Sequence, residues 1–156
     1  MNAVNSDKSN KRAVIGSDHA GIAGRKRAAE VLAAHGFTVV ELGPEEGESA
    51  DYPDLAHQVA SQVESGEATR GVLVCGTGQG MAMAANRHVG VRAAVITDAF
   101  TAEMARGHNN ANVACFGERV VGVDQIATLL TKFLETEFEG GRHERRVEKI
   151  EPSVRS

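Results

Sequence analysis

The feature that most constrains this chain is a fivefold alternation of short, β-branched runs with helical stretches. Segments 13–17 (AVIGS), 38–42 (TVVEL), 71–75 (GVLVC), 91–97 (VRAAVIT) and 111–116 (ANVACF) read as strands, being short, apolar and rich in Val. Helical patterning falls between them over 24–35, 54–65, 79–87 and 101–106, and after them over 124–137. In the last of these, Ile126, Leu129, Leu130, Phe133 and Leu134 recur at i, i+3, i+4, i+7 and i+8 and leave polar residues outside. Strands separated by helices pair in parallel through crossovers, so the pattern predicts an α/β fold with an open five-stranded parallel sheet and helices on both faces. Ligands of such sheets gather at the carboxyl ends of the strands, and polar residues at that edge carry the most information.

With 156 residues the chain has room for one domain. The start, MNAVNSDKSNKR, has no apolar segment of a secretory signal and is expected to be a disordered tail over 1–12. A single domain is expected over 13–150 and a short C-terminal tail over 151–156. No run approaches the roughly 18 apolar residues of a membrane span. The net charge of −4 gives no general attraction to nucleic acid or anionic membrane, so any anion site must be built locally. Cys75 and Cys115 lack CxxC spacing, which suggests neither a disulfide framework nor a zinc site and fits the reducing cytoplasm.

Three clusters carry chemistry. The first strand ends in Gly16-Ser17-Asp18-His19-Ala20-Gly21, an Asp-His pair where packing needs neither; the plainer reading is that Asp18 caps the next helix and His19 is a surface histidine. The third strand ends in Cys75-Gly76-Thr77-Gly78-Gln79-Gly80, whose glycines let the backbone turn tightly and present N–H groups to an anion at a helix start. This is not a dinucleotide fingerprint, because G-x-G-x-x-G from Gly76 would need a glycine at Met81, and from Gly78 one at Met83. Thiols near helix N-termini ionise more readily and can accept a proton from carbon, whereas the usual fate of a free cysteine is burial, the reading assigned to Cys115. The third cluster is Arg106-Gly107-His108-Asn109-Asn110, where His108 either works or merely sits near a helix's negative end. Farther on come Arg119 and Gly140-Gly141-Arg142-His143-Glu144-Arg145-Arg146; Arg142 and Arg146 share a face if helical and can grip a phosphate, or else form a solvated basic terminus. His35, His57 and His88 have no partner in sequence and read as surface residues; Tyr52, in a rigid Asp-Tyr-Pro turn, can reach a ligand.

GSDHAG, DYPD, CGTGQGMAMAANR, HNNANV and GGRHERRVEKI, in this order and spacing, resemble type B ribose-5-phosphate isomerases, a family that also contains galactose-6-phosphate isomerase subunits and allose-phosphate isomerising relatives. The resemblance spans about residues 12–150. It implies a Rossmann-like three-layer sandwich, an aldose–ketose isomerisation with neither metal nor cofactor, and a homodimer with a shared active site, or a tetramer of such dimers. Matched by position, Cys75 would be the base at C2, and Thr77 with the amides of Gly76, Gly78 and Gly80 would hold the enediolate. Asp18 and Tyr52 would orient sugar hydroxyls. His108 would open the furanose ring with Asn109 beside it, and His19, Arg119, Arg142 and Arg146 would hold the phosphate. One branch of the family uses a glutamate where this chain has Met81, which cannot take a proton, so the base falls to Cys75.

The expected reaction is therefore the interconversion of ribose 5-phosphate and ribulose 5-phosphate in the pentose phosphate pathway. The alternatives are a six-carbon substrate, galactose 6-phosphate or allose 6-phosphate, and a non-catalytic phosphate-binding module; the coincidence of Cys75, His108 and Asp18 speaks against the module, since binding needs no proton acceptor. Topology adds a constraint. Asp18 and Cys75 end strands, whereas His108 precedes one, so they lie on opposite edges of the sheet, roughly 15–20 Å apart for strands of five or six residues. Either His108 is irrelevant or a partner subunit supplies it.

Overall fold

The computed structural model describes residues 10–152. Its elements are β1 (Arg12–Ser17), α1 (Ile22–Ala34), β2 (Thr38–Leu42), α2 (Tyr52–Ser65), β3 (Arg70–Cys75), α3 (Gln79–Ala85), β4 (Ala93–Val95), α4 (Ala99–Gly107), β5 (Val113–Gly117), α5 (Glu118–Glu135) and α6 (Arg142–Glu148). The five strands form one sheet in the order β2-β1-β3-β5-β4 with every pairing parallel, as the alternation predicted.

Burial on both faces explains the near-continuous apolar strands. Ala13, Ile15, Val72, Val74, Ala114 and Phe116 point to one side and pack with Leu32 of α1, Ala102 of α4, and Ile126, Leu130 and Phe133 of α5. The alternate residues Val14, Leu73, Cys75, Val113 and Cys115 point to the other side, against Leu55 and Val59 of α2 and Met81 and Ala85 of α3. Register brings the ends of the central strands together: Ser17 lies opposite Val74, and Cys75 opposite Gly117. The chain leaves β1 toward β2 and returns on the other side as β3, so the crevice between β1 and β3 is the topological switch point at which such sheets bind ligands.

Several boundaries differ from expectation, for local reasons. β4 is only three residues long, because the Val91 N–H bonds to His88 O (3.2 Å) and the Arg92 N–H to Asn112 Oδ1 (2.8 Å) before the strand begins. The last long helix starts six residues early, at Glu118, and is broken at Gly122, where φ is +78°. The expected N-terminal tail is shorter at its inner end: Asn10 Nδ2 donates to Gly66 O (3.1 Å) and Arg12 pairs with Thr38, whereas residues 1–9 lie outside the described residues. At the other end Glu151 accepts from the Gly90 N–H (2.7 Å), and 153–156 lie outside. His57, His88 and His35 lie at the surface as expected, but each has a partner there: His57 Nδ1 lies 2.8 Å from His88 Nε2, His88 Nδ1 lies 3.1 Å from Glu64, and His35 bridges Val31 O and Glu135. No helix among the described residues is long and apolar enough to cross a membrane.

Candidate active site

The β1–β3 crevice opens into a cavity of about 310 Å³. Asp18 and His19 from the end of β1 form one wall, and Tyr52 from the first turn of α2 another; Cys75, Gly76, Thr77 and Gly80 form the floor, with Arg119 of α5 at the rim. Eight of the expected site residues therefore meet in one place.

The β1 wall rests on a buried polar network. Asp18 Oδ1 accepts the Ala20 N–H (2.9 Å) and tightens the turn, while Gly21, which has no side chain to cap with, is the N-cap of α1, so Asp18 does not cap that helix. Beneath it the buried Arg25 guanidinium donates to Ser17 Oγ and to Glu41 Oε1, both at 3.0 Å. Glu118, the first residue of α5, accepts the Gly24 N–H in the first turn of α1 and places a carboxylate at a helix N-terminus. Sequence reading missed Arg25, Glu41 and Glu118. An arginine inside a helix pattern announces burial only through its partners, and these are remote in sequence.

The floor is set by the glycine loop. Cys75 is the last residue of β3, nearly buried, and its Sγ accepts the Gly78 N–H at 3.1 Å. Gly78 has φ +81°, a conformation glycine adopts without strain, and this turn aims its amide back at the sulfur. Gly78 thus touches Cys75 from behind, not from the cavity wall. Thr77 Oγ1 accepts the Gln79 N–H (3.3 Å). The Arg119 N–H donates to Gly76 O (3.1 Å), and its guanidinium lies over Gly76. Cys115 sits one layer deeper on the same face, fully buried, and burial pushes its thiol well above the ordinary range. Both cysteines are free thiols.

The remaining expected residues are not part of this cavity. His108 caps the C-terminus of α4; its Nε2 is 3.3 Å from Glu139 Oε2, and its ring stacks on His143 with centroids 4.0 Å apart. His143 Nε2 in turn lies 3.7 Å from the other Glu139 oxygen. Asn109 is exposed beside His108, and Arg142 and Arg146 are exposed on α6, which the Gly140-Gly141 pair introduces. Sequence reading did not single out Glu139 or His143; their only signal was nearness to the arginine motif. The nitrogen and oxygen atoms of His108, Glu139 and His143 lie within 4.8 Å of one another, the one such group among the described residues. The two rings are within 17° of parallel, so their in-plane lone pairs cannot converge on one ion; the geometry is that of a stack held by a carboxylate.

Known proteins share this architecture. The chain is 40% identical over 140 residues to ribose-5-phosphate isomerase B of Escherichia coli K12, covering 90% of this chain and 94% of that one. It is 39% identical over 137 residues to D-erythrulose-4-phosphate isomerase of Pectobacterium atrosepticum, covering 87% and 90%. The solved structure of Clostridium thermocellum ribose-5-phosphate isomerase B superposes with a TM-score of 0.85 at 46% identity, covering 89% of this chain and 94% of that one. The ribose/galactose isomerase profile matches residues 13–150, nearly the whole of the described fold, and the chain belongs to that family.

Proposed function

We propose that this protein is an aldose–ketose isomerase that interconverts ribose 5-phosphate and ribulose 5-phosphate through an enediolate, with Cys75 as its base. The observation that carries this reading is the setting of Cys75 Sγ, held by the Gly78 amide on the floor of a polar cavity and flanked by the Gly76–Gly80 backbone.

The steps balance with one base. As thiolate, Cys75 takes the C2 proton of the open-chain aldose, and the electrons move onto O1. Thr77 and the loop amides other than that of Gly78, which is held by the sulfur, stabilise that developing oxyanion; a fixed donor of this kind is typically worth about 3–4 kcal/mol. A proton passes from O2 to O1, and the thiol returns the first proton to C1, one bond away, giving the ketose. Asp18 and Tyr52 orient hydroxyls from the facing walls, while His19 and Arg119 meet the phosphate at the rim.

His108, Asn109, Arg142 and Arg146 act at the cavity of a second copy of the chain. Cys75 pairs with Gly117 at the end of β5, whereas His108 precedes the start of that strand at Val113. The four residues of rise between Val113 and Gly117 alone span about 13 Å. Opening the ring at His108 and abstracting the proton at Cys75 thus require two subunits in a homodimer. A coupled assay on ribose 5-phosphate, run against allose 6-phosphate and galactose 6-phosphate, tests the substrate; preference for a six-carbon sugar would overturn it. Mixing tests the shared site: Cys75→Ala and His108→Ala chains, each inactive alone, should recover about a quarter of parental activity when refolded together, since half the dimers are mixed and each holds one intact site. A mixture that stays inactive while mass analysis shows exchange would refute the sharing.

A further inference from the structure

We propose that Glu139 is the positioning residue of His108, fixing its tautomer so that Nδ1 is the ring atom that exchanges protons with the sugar. This rests on the ring-opening role of His108 proposed above.

The docking of Glu139 is specific. Its own N–H donates to Gly107 O (3.0 Å), tying the segment after α5 to the end of α4. A Cβ on Gly107 would come within 2.9 Å of Glu139 Oε2, so the carboxylate's approach depends on that bare backbone. From there the two carboxylate oxygens divide their work, Oε2 facing His108 Nε2 at 3.3 Å and Oε1 facing His143 Nε2 at 3.7 Å. The His143 ring, mostly buried, covers one face of His108. His108 thus has one ring edge against a carboxylate and one face against a second ring, which together define its orientation.

Chemistry supplies the rest. An ionised carboxylate can only accept, so the ring hydrogen of His108 is favoured on Nε2, the nitrogen that lies 3.3 Å from it. In neutral His108 the lone pair is then on Nδ1. Furanose opening needs one group that removes the proton from the anomeric O1–H and returns a proton to the ring oxygen as the C1–O4 bond breaks. Nδ1 performs both: it takes the O1 proton as C1=O forms, then passes that proton to O4, and ends neutral as it began. A tautomer with the hydrogen on Nδ1 could do neither in that order.

Ring opening can be measured apart from isomerisation, because each opening and closing exchanges α and β anomers. In a Cys75→Ala background, exchange NMR on ribose 5-phosphate reports ring opening alone. Glu139→Ala in that background should slow enzyme-dependent anomer exchange about 10- to 100-fold, and Glu139→Gln, which keeps an acceptor oxygen, should recover part of the loss. The dissociation constant for ribose 5-phosphate should stay within about twofold, a split that general damage to the fold would not produce. Loss of exchange in Cys75→Ala/His108→Ala with no loss in the Glu139 variants would overturn the proposal alone. Undiminished exchange in Cys75→Ala/His108→Ala would refute the ring-opening role of His108 and the proposal with it.

Discussion

Gly80 in the candidate site and Gly117 beside it are bare for different reasons, and the same substitution should cost stability at Gly117 but not at Gly80. At Gly117 an added Cβ would lie 2.6 Å from both Cα and C of Thr77 and 2.7 Å from its carbonyl oxygen. Those are backbone atoms of the loop beneath the cavity, so relief requires the loop to retreat by about 1 Å, an overpacking worth roughly 1–3 kcal/mol. The Gly117 backbone (φ −105°, ψ 111°) suits any residue, so Gly117→Ala brings no backbone strain and regains only about 0.4–1 kcal/mol of unfolded-state entropy. The net expectation is a loss of about 1–2 kcal/mol, with turnover down about 100-fold because the loop that carries Thr77 has moved. At Gly80 the same Cβ would overlap the ring of Tyr52, coming within 2.6 Å of Cζ and 2.9 Å of the hydroxyl oxygen. Tyr52 is 42% exposed and can swing outward, and an alanine in α3 gains about 0.5–1 kcal/mol of helix stability. Gly80→Ala should therefore stay within about 1 kcal/mol of the parent in urea, yet lose roughly 3–10-fold in kcat/KM, the worth of one neutral hydrogen bond from Tyr52. Urea midpoints and steady-state kinetics on both variants decide the matter. If Gly117→Ala melts with the parent, or Gly80→Ala is the less stable of the two, the close-approach reasoning is wrong.

Arg25→Ala should cost about 2–3 kcal/mol, less than a fully buried pair, because Glu41 is partly exposed; a parental urea midpoint would refute the buried network. Iodoacetamide on the native protein should add one group, at Cys75, since Cys115 is fully buried with its thiol pKa raised; a second adduct before unfolding would contradict this. The hydrogen bond to Val31 O, then the one to Glu135, raises the pKa of His35 above 6.5. Its stabilisation is thus complete below the unfolded pKa and is lost as pH rises through the folded value. The stability gap between parent and His35→Ala should be wider at about pH 5.5 than at about pH 8.5; an equal gap in denaturant melts would sink the assignment.

The sheet could be read from sequence because both its faces are buried, which turns β1, β3 and β5 into unbroken apolar runs that periodicity cannot miss. β4 was overestimated for the converse reason: Val91 and Arg92 look like strand residues, but their N–H groups are satisfied by His88 O and the Asn112 side chain, and a loop bond of that kind leaves no trace in composition. The floor of the cavity was legible because three glycines after a strand end have few other uses. Its supports were not. Arg25 finds Glu41 sixteen positions away, and Glu118 reaches back ninety-four positions to cap α1, so neither pairing has a local signature.

The division of the expected residues into two groups follows from the same topology. In a sheet with every strand parallel, all carboxyl ends share one edge, so Asp18 and Cys75, which follow β1 and end β3, meet across the switch point whatever the intervening loops do. A residue that caps a helix and leads into a strand is confined to the opposite edge, and His108 is such a residue, five positions ahead of Val113 at the start of β5. No loop rearrangement short of unpairing β5 from β3 brings His108 to Cys75 within one chain. The two groups nevertheless have complementary shortfalls. The cavity holds Cys75, the proposed base, but only Arg119 and His19 as cationic side chains for a phosphate, whereas the edge that bears His108 offers Arg142 and Arg146 away from that cavity. In the proposed homodimer, joining two copies of the chain would supply each group with what it lacks. If the proposed roles of Cys75 and His108 hold, strand direction makes dimerisation a requirement of the chemistry, and a monomeric variant should keep its fold while losing ring opening and phosphate grip together.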